Sequence, residues 1–210
     1  MEASAKEKNM SENVNEKAVS QNSSKIDVKK LVFLALMTAI VVVLQVLSGV
    51  IQFGPFSITL ALTPIIVGSA LYGWKAGAWL GFAFGAVTLT NAALFLAVSI
   101  PATVFVCLLK GAAAGAAAGL AYKLLEKKNS YAAVIAAAVV CPIVNSGIFA
   151  LGCMAFFMSA VSELAGDSNA VAFIFTGFIG YNFFVEFAVN LVLAPVVFRL
   201  IQIGKKAKRA

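Results

Sequence analysis

Histidine is absent from the 210-residue chain. That removes the commonest metal ligand and the side chain most used as an acid or base near neutral pH. Charge is scarce too. Asp, Glu, Lys and Arg make up 12% of residues, about half the share of an ordinary soluble domain. Cys107, Cys141 and Cys153 all sit in apolar runs, and none belongs to a C-x-x-C pair. They read as small core residues rather than as a metal or redox site. No G-x-x-x-x-G-K-[ST] phosphate loop occurs, because the C-terminal "IGKKAKRA" lacks both the spacing and the hydroxyl. ATP hydrolysis by that route is excluded. H-E-x-x-H and G-x-S-x-G are missing as well, so the chain reads as a non-enzyme without metal or cofactor.

What fills the sequence is apolar: 61% hydrophobic residues and a mean hydropathy of +0.96. Uncharged stretches exceed the roughly 18 residues that mark a membrane span. Leu, Ala, Val and Phe dominate them, without the short alternating segments of a transmembrane barrel. The sequence predicts an all-α integral membrane protein with six transmembrane helices. They fall at Leu31–Ser48, Ile58–Tyr72, Gly77–Leu96, Pro101–Leu124, Tyr131–Ser159 and Val171–Ile201. The second is short and contains Pro64. Before it, "FSITL" (Phe56 to Leu60) alternates like an extended segment following a Gly54-Pro55 turn. Residues 1–29 are polar, lack the pattern of a signal peptide, and read as a disordered cytoplasmic tail. Residues 30–204 form the membrane domain, and 205–210 a basic cytoplasmic tail.

The connections sort by charge. One set carries Lys25, Lys29 and Lys30; Lys75; Lys123, Lys127 and Lys128; and Lys205, Lys206, Lys208 and Arg209. The other set, around 49–57, 90–100 and 162–170, has no Lys or Arg, only Glu163 and Asp167. The positive-inside rule makes the first set cytoplasmic. Both termini are then inside, as an even number of spans requires. The net charge of +7 is explained by topology and does not imply a nucleic-acid partner. The outer connections are longer and rich in aromatic and small residues, which points to a binding face outside.

Polar side chains inside spans are costly and face the bundle interior. The candidates are Gln45, Asn91, Lys110, Asn145, Asn182, Glu186 and Asn190. Counted from the inner ends, Gln45, Asn91, Lys110, Asn145 and Glu186 each lie roughly 20 Å deep at about 1.5 Å per residue. That is one layer in the outer half of a core about 30 Å thick. The bland alternative is a set of scattered interhelical hydrogen bonds. Asn182, Glu186 and Asn190 are spaced i, i+4, i+8 and form one stripe. Lys110 and Glu186 share a depth and have opposite charge. They read either as a structural pair, or as a cation facing a substrate acid with a carboxylate facing its polar or cationic part. Gly111, Gly115 and Gly119 make one side of the fourth span nearly bare, a face suited to close helix contact. Ala35 and Ala39 make a weaker small-residue face on the first span.

Three stretches carry a resemblance to a family: "KKLVFLALMTAI", "LTPIIVGSALYGWKAGAWLGFAFG" and "LLKGAAAGAAAGL". In order and combination, from Lys29 to about Lys206, they resemble the substrate-binding S components of energy-coupling factor vitamin transporters. The resemblance implies a bacterial plasma-membrane protein that binds a micronutrient at its outer side. It implies partnership with a transmembrane T subunit and two cytoplasmic ATPase subunits, within the lipid bilayer. It places docking on Ala35 and Ala39. The substrate does not follow; Lys110 mildly favours an acidic compound, with pantothenate or a riboflavin-like molecule as the guess. Two other classes compete: a self-sufficient ion-coupled carrier working through Glu186, and a membrane scaffold using the glycine face.

Overall fold

In the computed structural model, residues 28–49, 52–53, 56–57, 59–166, 169–178 and 180–209 are described. The tail 1–27 lies outside them. The chain divides into two units, Met1–Leu36 and Met37–Ala210.

The first helix, α1, covers Val28–Gly49. Its interior holds neither Gly nor Pro, so nothing breaks it before Gly49. A two-residue ladder follows, β1 (Gln52–Phe53) antiparallel to β2 (Phe56–Ser57), with Gln52 opposite Ser57. The extended segment expected at "FSITL" is therefore present over its first two residues. Helix α2 (Leu62–Tyr72) and helix α3 (Trp74–Thr88) are separated by Gly73 alone. Gly73 has φ 85°, a conformation that costs glycine nothing and strains other residues. A 3₁₀ turn (Leu89–Asn91) and α4 (Ala93–Val98) lead to α5 (Ile100–Leu125). Helix α6 (Ser130–Phe156) begins where the Asn129 side chain accepts hydrogen bonds from the Tyr131 and Ala132 amides, at 2.9 and 3.2 Å. This is the standard N-cap arrangement. Short helices α7 (Met158–Ala165) and α8 (Ala170–Phe173) and a π-helical segment (Ile174–Phe178) precede α9 (Gly180–Arg209).

Among the described residues, four helical stretches are long and apolar enough to cross a membrane: Val28–Gly49, Ile100–Leu125, Ser130–Phe156 and Phe183–Ala207. Helices α2 and α3 have 11 and 15 residues. At about 1.5 Å per residue they reach roughly 16 and 22 Å.

Three expected boundaries move. The third span ends as an α-helix at Thr88, not Leu96. Thr88 Oγ1 donates to the Phe84 carbonyl and Thr90 Oγ1 to the Val87 carbonyl, both at 2.8 Å. Bonds of this kind accompany helical turns, and the chain tightens into the 3₁₀ turn at Leu89–Asn91. The fifth span stops at Phe156 and resumes as α7 after Phe157 leaves helical geometry. The last helix continues past Ile201 to Arg209, so the basic residues from Lys205 to Arg209 are helical.

Helices α3 and α5 approach backbone to backbone. A β-carbon added at Gly81 would collide with the Gly111 carbonyl, one at Gly77 with that of Gly115, and one at Gly85 with that of Cys107. The two antiparallel helices thus mesh backbone to backbone along three successive turns. A β-carbon at Gly119 would lie 2.7 Å from Trp74 Cα. The bare face expected on the fourth span is a contact within the chain, and its partner is the matching glycine row of α3. No hydrophobic force drives helices together in lipid, so close packing of this kind carries the association.

Candidate functional site

The glycine mesh sets Lys110, one residue before Gly111, beside Phe84, one residue before Gly85. Lys110 is 8% exposed. Its ammonium lies 4.7 Å from the centre of the Phe149 ring on α6 and 5.9 Å from that of Phe84 on α3. The charge also acts on the nearby thiols of Cys107 and Cys153. Among the described residues it has no hydrogen-bond acceptor and no contact ion pair. Aromatic faces attract cations and offset part of the cost of burying one.

Glu186, on α9, is 1% exposed. Thr59, just before α2, and Asn145, on α6, neighbour its carboxylate, and the charge of Lys110 acts on it. One turn further on, Asn190 donates from Nδ2 to the Glu186 carbonyl at 2.8 Å. Thr63 Oγ1 reaches Asn190 Oδ1 at 3.5 Å. Four separate parts of the chain therefore converge: α5 with Lys110, α6 with Asn145, α9 with Glu186 and Asn190, and the approach to α2 with Thr59.

The remaining candidates divide. Gln45 on α1 is buried, and its Oε1 has no hydrogen-bond partner; the same holds for Asn145 Oδ1. Asn91 is exposed, in the 3₁₀ turn beyond α3. Its amide closes on Gly49, where an added β-carbon would sit 2.6 Å from Nδ2. It therefore stands outside the buried layer, because the helix that would carry it inward ends at Thr88. Asn182 lies in α9, where only its backbone is described. The direct Lys110–Glu186 contact considered from sequence is not made. The two charges influence each other, yet the contact ion pair among the described residues is Lys205–Glu126.

Sequence reasoning missed Phe84, Phe149, Thr59 and Thr63. Seventeen phenylalanines occur in the chain, and nothing local distinguishes the two that face a cation. Beyond Lys110, away from the Lys123 end of α5, an apolar cluster joins Phe95, Val106, Ala150, Cys153, Phe157, Val161 and Ile174, with Phe149 packed against it. Phe95 meets Phe149 edge-on at 5.6 Å and Phe157 at 5.0 Å.

A polar layer thus lies beside an aromatic cluster within an apolar helical bundle. The family model described as "ECF transporter, substrate-specific component" matches residues 29–198. The chain belongs to that family. No curated protein and no solved structure matches it. ECF substrate-specific components are transporter subunits, not enzymes, and they bind a small molecule and associate with T and ATPase subunits. Family and apolar helices together make this a multi-pass membrane protein of transport and substrate binding. The resemblance noted from "LLKGAAAGAAAGL" and its companion stretches is thus matched over the same region.

Proposed function

We propose that this ECF substrate-specific component captures a vitamin or related micronutrient at the outer side of a bacterial plasma membrane. The captured molecule is held between Lys110, Asn145, Glu186 and Asn190, with Gln45 on α1 contributing from the same depth. The single observation that carries this reading is the convergence of Lys110, Asn145 and Glu186 from three helices, all buried. Substrate then passes inward through a complex with a T subunit and two ATPases. The chain has no phosphate loop of its own. Pantothenate and riboflavin-like compounds are the first substrates to try.

In this reading the chain crosses the membrane six times with both termini in the cytoplasm. Basic residues gather at one set of helix ends, as the positive-inside rule requires. The short helices α2 and α3 cross together with the segments that extend them, the ladder before α2 and the 3₁₀ turn with α4 after α3. Docking on the T subunit uses Ala35 and Ala39, both exposed.

Affinity purification of the tagged full chain from its own cells tests the reading. The T subunit and two ATPases should copurify, and uptake should fail without them. A self-sufficient carrier coupled to ions through the buried Glu186 is the alternative. Uptake that persists when the T subunit and ATPases are deleted would establish it instead.

A further inference from the structure

Lys110 is a cation buried to 8% exposure that meets the Phe84 and Phe149 ring faces and, among the described residues, makes no hydrogen bond and no contact ion pair. An ammonium out of water is costly unless acceptors surround it. Around it α3 presents Phe84, α6 presents Phe149 and Cys153, and α5 itself presents Cys107. The opposite charge at the layer is not spent on it, since Glu186 senses Lys110 without contact. Asn145, in the same layer, is buried, and its Oδ1 has no hydrogen-bond donor. Lys110 therefore calls for an acid group, and Asn145 Oδ1 for an N–H group.

Resting on the binding role proposed above, we infer that the ligand is a small molecule whose ionised acid group meets Lys110 and whose N–H donor meets Asn145 Oδ1. A neutral analogue leaves the ammonium facing a dipole where an ion should be. A purely cationic ligand is repelled by Lys110. Charge-assisted hydrogen bonds are about twice as strong as neutral ones, so discrimination between an acid and its neutral analogue is large.

The test uses the purified full chain in lipid nanodiscs. Native mass spectrometry identifies any small molecule that copurifies. Calorimetry then compares matched probes: pantothenate with panthenol, and biotin with biotinamide. The copurified molecule should carry an ionisable acid and an N–H group. For any probe pair that binds, the acid should bind at least about tenfold tighter, roughly the value of one charged hydrogen bond. Lys110→Met should abolish that preference, Lys110→Arg should retain part of it, and Lys123→Met, at an exposed lysine, should leave it intact. If Lys110→Met fails to fold, Lys110→Arg and the copurified molecule still decide the matter. A neutral bound molecule, equal affinity within the pairs, or an acid preference surviving Lys110→Met overturns the ligand class while the binding role stands. If no molecule copurifies and no probe binds, the binding role itself falls, and this inference with it.

Discussion

The Lys110 ammonium faces the Phe149 ring at 4.7 Å, and Phe149 in turn meets Phe95 edge-on at 5.6 Å. A buried charge is thereby tied to the apolar cluster beyond it through one side chain. A desolvated cation–π contact is worth about 2 kcal/mol. In ligand-free protein, a double-mutant cycle of Lys110→Met with Phe149→Leu should give a coupling of about 1–2 kcal/mol. Chemical or thermal unfolding in mild detergent measures it. Zero coupling would mean that the ring does not hold the charge.

The companion cycle, Lys110→Met with Glu186→Gln, should give less than about 1 kcal/mol, because no contact joins the two groups. A buried contact pair would behave otherwise, since breaking one costs about 3–5 kcal/mol. A large coupling would restore the structural-pair reading and remove the main argument for an acidic ligand.

Gly81 and Gly111 carry a third prediction. Any side chain at either must push α3 and α5 apart, since each faces the other's carbonyl. Gly81→Leu and Gly111→Leu should each destabilise by at least about 1–3 kcal/mol, the usual cost of overpacking. Gly147, in α6, is exposed with nothing near its absent β-carbon. Gly147→Ala should be neutral or stabilising by up to about 1 kcal/mol, from helix propensity alone. Melting temperatures of the three variants check both claims.

That glycine mesh also shows where the sequence was informative and where it was not. A charge in an apolar run is conspicuous, so Lys110 and Glu186 could be singled out at once. The row Gly111, Gly115, Gly119 announced a close contact, but not its partner. Gly77, Gly81 and Gly85 have the same spacing, yet register between two helices is a property of their packing and not of either strip alone. Phe149 was invisible, because its role depends on what lies across the helix interface. Asn91 was misplaced because "LFLAV" after it continues the apolar pattern, while α3 ends at Thr88 and gives way to a 3₁₀ turn. Hydropathy reads burial well and helix termination poorly, since termination is decided by individual hydrogen bonds.

At the basic end, Lys205 on α9 pairs with Glu126 after α5 and lies 5.3 Å from the centre of the Tyr122 ring. The side chains of the pair remain 34% and 38% exposed. Solvent therefore screens the pair, and exposed pairs contribute about 0–1 kcal/mol. Glu126→Gln should cost less than about 1 kcal/mol, and that cost should fall further in 1 M salt, where the screening length is about 3 Å. A larger or salt-insensitive loss in unfolding experiments would contradict the screened pair.

The last prediction separates docking from binding. Ala35 and Ala39 are exposed on α1, whereas Gln45 and Ser48, further along, are buried. Residues four apart share one helix face, and a bare face allows a partner helix close approach in lipid. Two indoles there should block that approach while leaving Lys110, Asn145 and Glu186 untouched. The Ala35→Trp plus Ala39→Trp variant should therefore lose the T subunit and both ATPases on copurification and lose uptake. It should keep the wild-type affinity for whatever ligand the protein binds, within about threefold. Retention of the intact complex would move the docking surface elsewhere. Loss of ligand affinity along with the complex would show that the face of α1 supports the site rather than the partner.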